Sequence, residues 1–226
     1  MKLGVISDVH GNYVALRAVL EDMEGEVDKL ICAGDVVGYG PQQTEVVTEM
    51  MERDVPTVQG NHDRSFDSPE RYQANNMAYE GLKYARARMT DEQKNWVYAL
   101  PMRRRFAEGK ILLKHEHPDD DYIGTLKSYV KPAQFPEMNP YMRELDVDML
   151  IMGHTHVQHV YEGPDGTVLN PGSVGQTRDK DNRAAYAIVD TDTMDVELRR
   201  VEYDIEKVIR LVKQAGLPVR TGTRLR

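Results

Sequence analysis

The sequence predicts an α/β fold that gathers polar side chains along one edge of a sheet, and three observations carry that reading. Apolar runs of strand length alternate with helical-period segments through the first third of the 226-residue chain. Five strand ends give way at once to clusters of Asp, Asn or His. Beyond residue 156 the pattern changes to strand pairs split by turn sequences, as in an antiparallel second half.

Residues 2–7 form a compact apolar run, and Leu16, Val19, Leu20 and Met23 then recur at helical spacing. Residues 29–33 read as a second strand ending at Gly34-Asp35. Pro41 suits the first turn of a helix whose inward side holds Val46, Val47, Met50 and Met51. Residues 55–59 read as a third strand cut off by Gly60, giving a βαβαβ order with parallel central strands. Residues 66–108 read as a helical insertion. A Tyr-rich helix covers 74–88, and Thr90-Asp91-Glu92-Gln93 is a capping box opening another helix through Tyr98. A side layer of the core is favoured for this insertion over a cap or a dimer face.

Residues 111–114 resume the strand pattern, and 119–139 read as loop with short helical pieces. Residues 149–152 are a buried strand. Two hairpins follow, 157–162 with 167–169 around Gly163-Pro164-Asp165-Gly166, and 184–189 with 196–201. Asp204 caps a last helix with Ile205, Val208, Ile209 and Val212 inward, stopped by Gly216 and Pro218. The expected organisation is one domain over 1–218 and a basic tail, 219–226, whose Arg220, Arg224 and Arg226 fray into solvent.

Composition narrows the function classes. A net charge of −8 argues against a basic nucleic-acid-binding surface, although a local site can oppose the global sign and hold an anion. No apolar run has the length of a bilayer span, and no signal-peptide pattern precedes the first strand. The one cysteine, Cys32, excludes an intrachain disulfide, so a cytoplasmic setting is expected.

The polar clusters read SDVHGN at 7–12, GDVVGYG at 34–40, GNHD at 60–63, KHEHP at 114–118 and GHTH at 153–156. They hold six of the seven histidines, leaving only His159, and lie where open α/β sheets place their ligands. His154 and His156 would share a face on an extended backbone, while a turn would aim them apart. Carboxylate, imidazole and amide oxygen together suit borderline divalent ions, namely Mn, Fe, Co, Ni or Zn. Asp8, His10, Asp35, Asn61, His62, His115, His154 and His156 are too many for one ion and suit two, roughly 3.5–4 Å apart. Two such cations draw in phosphate and lower the pKa of bound water to about 7, supplying a hydroxide nucleophile without serine or cysteine.

In order, DxH, GDxxxxG, GNHD, a strand-ending His and GHxH resemble the calcineurin-like metallophosphoesterases. NPGSVGQTRD at 170–179 and the ending YDIEKVIRLVKQAGLP resemble a bacterial and archaeal branch described as predicted phosphodiesterases. The resemblance implies a four-layered α/β/β/α sandwich with a dinuclear metal centre at the sheet end. It implies that Asp8, His10 and His156 hold one metal, that Asn61, His115 and His154 hold the other, and that Asp35 bridges both. His62 would contact the phosphoryl group and assist the leaving oxygen. The implied activity is phosphodiester hydrolysis of a small-molecule ester by a metal-bound hydroxide. A phosphomonoesterase, a nucleotide pyrophosphohydrolase and a non-catalytic interaction scaffold are the alternatives, and homo-oligomers are compatible with all of them.

Two departures from the family pattern stand out. The fourth cluster often reads HGxP; here it is His115-Glu116-His117-Pro118, and the spacing to Pro118 favours His115 over His117 as ligand. Phosphoprotein phosphatases carry Asp three residues beyond the bridging one, where this chain has Gly38, and Arg where it has Gln59. What orients His62 is therefore open. Alone, Asp8 or Asp35 reads equally well as a cap and Asn61 as turn chemistry. Asp63 reads as a turn or supporting residue, Asn170-Pro171-Gly172-Ser173 as a tight turn, and His117 and His159 as surface or supporting groups.

Overall fold

A computed structural model describes residues 1–122 and 124–226. Nine strands form two sheets among the described residues. Strands β1 (Lys2–Ile6), β2 (Lys29–Cys32), β8 (Ala184–Asp190) and β9 (Val196–Val201) make one, ordered β2-β1-β8-β9. Strands β3 (Arg103–Phe106), β4 (Ile111–Lys114), β5 (Met149–Ile151), β6 (His159–Gly163) and β7 (Gly166–Asn170) make the other, ordered β3-β4-β5-β7-β6. The pairs β1–β2, β4–β5 and β5–β7 are parallel and the remaining neighbours antiparallel.

The layers follow from alternation along each strand. Leu3 and Val5 of β1, Ile111 and Leu113 of β4, and Met149 and Ile151 of β5 meet between the sheets, with Ala187 and Val189 of β8. The next residue, Ile6, faces the other way, into a core shared with α1 (Tyr13–Asp22), α2 (Gln43–Glu52), α4 (Asn76–Arg88) and α5 (Asp91–Tyr98). Leu112 and Leu150 face an outer layer of 3-10 turns and α6 (Asn139–Leu145), packing on Phe135, Met138 and Met142. The result is the α/β/β/α sandwich that the resemblance implies.

Four expectations change. Residues 55–59 contribute a single parallel bridge, Cys32 to Thr57, instead of a strand; Pro56 has no N–H to extend a ladder. The stretch 66–108 is helical only in part, since 103–106 is β3, antiparallel to β4. The stretch does form a side layer: Leu82, Ala85 and Val97 from its helices, with Phe66 and Met89 beside them, are buried in the α1–α2 core. The antiparallel half divides, β6–β7 entering the second sheet and β8–β9 returning to the first.

The tail is folded as well. Residues Val219–Thr223 form a short helix, α8, after α7 (Ile205–Gln214). Thr221 and Gly222 are buried, and Leu225 packs with Val208, Val212 and Leu217. The basic residues could not reveal this, because one apolar side chain, Leu225, anchors the segment. No described helix is long and apolar enough to cross a membrane.

Candidate metal centre

All five polar clusters meet at one end of the two sheets. The ends of β1 and β2 bring Asp8, His10 and Asp35; the short helix α3 (Asn61–Arg64) brings Asn61 and His62; the ends of β4 and β5 bring His115, His154 and His156. Five of these residues have left-handed backbones: Asp8 (φ 53°), His10 (49°), Asp35 (55°), His154 (69°) and His156 (61°). Each costs of order 1 kcal/mol or more and persists only where its surroundings fix it, a pattern that concentrates at functional sites.

That backbone settles how the two β5 histidines are aimed. Positive φ on both sides of Thr155 turns them apart rather than onto one extended face. His156 goes to Asp8 and His10, and His154 to Asp35 and His115. Gly153 is required by close approach: a Cβ there would lie 2.1 Å from Ser7 Oγ and 3.0 Å from His115 Nδ1. Asn170 secures the loop, donating to the Gly153 carbonyl at 2.6 Å and to Thr155 Oγ1 at 3.1 Å.

In the first group, His156 Nε2 lies 3.1 Å from Asp8 Oδ1 and 3.2 Å from His10 Nε2, with 3.7 Å between the last two. Asp35 Oδ2 lies 3.7 Å from His10 Nε2 and 3.3 Å from His115 Nε2, so it faces both groups. In the second group His115 Nε2 is 3.0 Å from Asn61 Oδ1, and His154 joins Asp35 and His115. Donors bonded to one ion at about 2.0–2.2 Å stand roughly 3–3.6 Å apart, close to these separations, with the two 3.7 Å distances from His10 slightly wider.

The donor chemistry fits cations too. His10, His115 and His156 each donate Nδ1–H to a backbone carbonyl, of Val37 at 3.0 Å, Ala33 at 2.7 Å and Gln176 at 2.5 Å. In a neutral imidazole such a bond fixes the tautomer and leaves Nε2 as a lone pair toward the centre, the state that burial favours for His156. Asp8 is held through Oδ2 by Ser7 Oγ at 2.6 Å and His154 N–H at 3.1 Å, while its buried Oδ1 has no hydrogen-bond partner. Around Asp8 Oδ1 electron pairs thus converge without a donor between them, an arrangement that a cation relieves.

The charges agree. Burial would raise both Asp8 and Asp35, but the histidines overrule it, chiefly His156 for Asp8 and His115 for Asp35, and both stay well below the usual carboxylate range. Burial pushes His154 and His156 down to about 4. Burial would also lower His115, yet Asp35 raises it to about 10.

Neighbouring residues resolve the alternatives. Asn12, not Asp8, caps α1, accepting from Ala15 N–H at 3.2 Å. Asp35 Oδ1 accepts from His62 N–H at 2.8 Å. Asp63 supports the site: its carboxylate accepts from the N–H groups of Asp35, Val36, Val37 and Gly60 at 2.8–3.2 Å, fixing the loop after β2. Segment 170–176 braces Asp8 from behind, Ser173 Oγ donating to its carbonyl at 2.7 Å. His117 is buried away from the centre, accepting from Asp119 N–H at 3.0 Å with its ring against Tyr122 and Tyr141. His159 is half-buried against Phe135.

His62 stacks on Tyr72 at 4.6 Å and meets His10 and Tyr39 at 4.7 Å; burial holds it well below its ordinary pKa. It also groups with His10 and Asp35 closely enough to reach a shared ion, whereas the resemblance gives it a phosphoryl contact. Tyr72 went unnoticed in the sequence although it also accepts from Asn61 Nδ2, turning Asn61 Oδ1 to the second group. No motif marks it; only contact does. Glu116 forms an ion pair with Arg64 at 2.6 Å, and both line a cavity of about 340 Å³ reaching Asn61 and His154.

Comparison with known proteins gives the lineage. The family model described as calcineurin-like phosphoesterase superfamily domain matches residues 1–194. An uncharacterized protein of Methanocaldococcus jannaschii is 30% identical, covering 99% of this chain and 96% of that one. The crystal structure of a metallophosphoesterase from Sphaerobacter thermophilus superposes with TM-score 0.82 at 31% identity, covering 100% of this chain and 98% of that one. A hypothetical protein from Pyrococcus horikoshii shares the fold at TM-score 0.84 and 21% identity, over 99% and 97% of the two chains. Since the matched family region contains all five converging clusters, the chain belongs to the calcineurin-like phosphoesterase superfamily.

Proposed function

We propose that the protein is a phosphodiesterase acting on a small-molecule ester with two divalent cations. Asp8, His10 and His156 hold the first, Asn61, His115 and His154 the second, and Asp35 lies between them. The observation that carries this is the unpartnered Asp8 Oδ1 beside two Nε2 lone pairs whose Nδ1–H groups are already committed. When bound, the cations supply Lewis acidity and a water with a pKa of about 7. Mn, Fe, Ni, Co and Zn all suit this donor set. His62, fixed by Tyr72, Tyr39 and His10, hydrogen-bonds the phosphoryl group and steadies the leaving oxygen. Gln59 and Gly38 set the chain apart from phosphoprotein phosphatases. The cavity beside Asn61 and His154 offers room for one ester arm. A reducing, cytoplasmic setting accords with the buried, unpaired Cys32.

Protein loaded with manganese or nickel should retain about two ions per chain and cleave bis(4-nitrophenyl) phosphate faster than 4-nitrophenyl phosphate. Asn61→Ala should lose one ion and most turnover while staying folded. Faster cleavage of the monoester would reverse the diester assignment, and absence of hydrolysis with all five metals would remove the catalytic one.

A further inference from the structure

Beside His156 the surface reverses the charge of the chain. A cavity of about 610 Å³ is lined by Arg178, Lys180, Arg183, Arg224 and Arg226, with Asp181 among them, in a protein of net charge −8. Two of these cations are neutralised, Arg183 by Asp181 at 2.7 Å and Arg226 by Glu206 at 2.9 Å. Arg178 and Arg224 have no carboxylate within salt-bridge distance among the described residues. Apolar contacts bring them together: Leu225 is pinned against Val208, Val212 and Leu217, which carries Arg224 into the cavity that Arg178 lines. Folding therefore brings two cations together with neither paired to a carboxylate.

Arg178 also adjoins the metal centre. Its N–H donates to the His156 carbonyl at 3.2 Å, and its guanidinium donates to Gln176 Oε1 at 3.3 Å. Gln176 in turn accepts His156 Nδ1–H through its own carbonyl. Burial and then the Arg178 charge lower the pKa of Arg224, consistent with two cations facing the same space.

We infer that this cavity is a second anion site, which holds a non-reacting phosphate of the substrate while the scissile ester lies at the Asp8–His156 side of the centre. The substrate class is then a phosphoester that carries a polyphosphate chain. Guanidinium groups suit that ligand, since each presents paired N–H donors to phosphate oxygens. The inference rests on the phosphoesterase reading for the word substrate, but the anion site can be measured without it.

Isothermal titration of metal-stripped protein with tripolyphosphate should show one site, and the Arg178→Met/Arg224→Met variant should bind about tenfold or more weakly. Lys83→Met, a surface cation elsewhere, should bind like the parent. The longer test compares two chromogenic esters on the manganese-loaded enzyme, the γ-(4-nitrophenyl) ester of a nucleoside triphosphate and bis(4-nitrophenyl) phosphate. The parent should prefer the first in kcat/KM, and Arg224→Met alone should diminish the ratio. Equal tripolyphosphate affinity in parent and double variant, or equal loss in Lys83→Met, would overturn the anion site. An unchanged ratio in Arg224→Met would overturn its role in substrate choice. Hydrolysis of neither ester alongside tight tripolyphosphate binding would sink the phosphoesterase reading and leave the anion site standing.

Discussion

Gly38 and His62 are in such close apposition that a β-carbon on residue 38 would lie 2.4 Å from His62 Nδ1. Nδ1 is buried without a hydrogen-bond partner. The side of the ring where phosphoprotein phosphatases bring a carboxylate is here backed by bare main chain, and aromatic neighbours hold the ring instead.

Gly38→Ala should therefore displace His62. Residue 38 has φ +104°, so alanine adds backbone strain as well as the clash. A misplacement approaching 1 Å costs up to about 100-fold in turnover. Steady-state kinetics should show a loss of about 10–100-fold in kcat with metal content unchanged. Undiminished kcat would show that the ring position does not matter.

Tyr72→Phe keeps the stack on His62 but removes the hydroxyl that accepts from Asn61 Nδ2. Outer partners of metal ligands typically contribute 10–100-fold to affinity, so under the proposed two-cation assignment the weaker manganese-binding step should lose about tenfold by titration calorimetry. Tyr72→Leu should additionally lower kcat. If Phe binds both ions like the parent, Asn61 does not need the hydroxyl to hold its orientation.

Asp63→Asn should destabilise the fold more than an ordinary polar exchange. One carboxylate oxygen accepts from Val36 and Val37, the other from Asp35 and Gly60. An amide turned either way sets its NH₂ against two buried N–H groups, a cost of about 2–4 kcal/mol. Urea unfolding should show a lower midpoint at unchanged slope. A loss below about 0.5 kcal/mol would mean the loop finds other acceptors.

Without metal, stability should be greatest near pH 6.5. His154 and His156 fall from 6.5 to about 4 on folding, so their contribution is present above 6.5 and lost as pH drops toward 4. His115 rises from 6.5 to about 10, so its contribution is present below 6.5 and lost as pH climbs toward 10. Thermal melts of chelator-treated protein across pH 4–10 test this, and His115→Ala should flatten the alkaline limb. A stability that keeps rising through pH 9 would contradict the Asp35–His115 pairing.

Much of this was legible in the chain. Short apolar runs marked β1, β4 and β5, the Thr90 capping box opened α5 where expected, and Asp204 capped α7. These signals are local, carried by neighbours in sequence. The polar clusters could be grouped because each terminates a strand or its equivalent, and parallel strands put such ends on one side.

Tertiary structure alone decided the rest. Which sheet β8 and β9 join depends on partners more than 150 residues away, as in the pairing of Leu3 with Val189. The parting of His154 from His156 depends on left-handed backbone held by Asp8, Ser7 and Asn170, which spacing cannot encode. Tyr72, Asp63 and Arg224 acquire roles only through contact with residues from other elements. Sequence sets the chemical inventory and the local periodicities because these depend on adjacent residues; donor geometry depends on long-range packing, and that exists only once the two sheets have closed on each other.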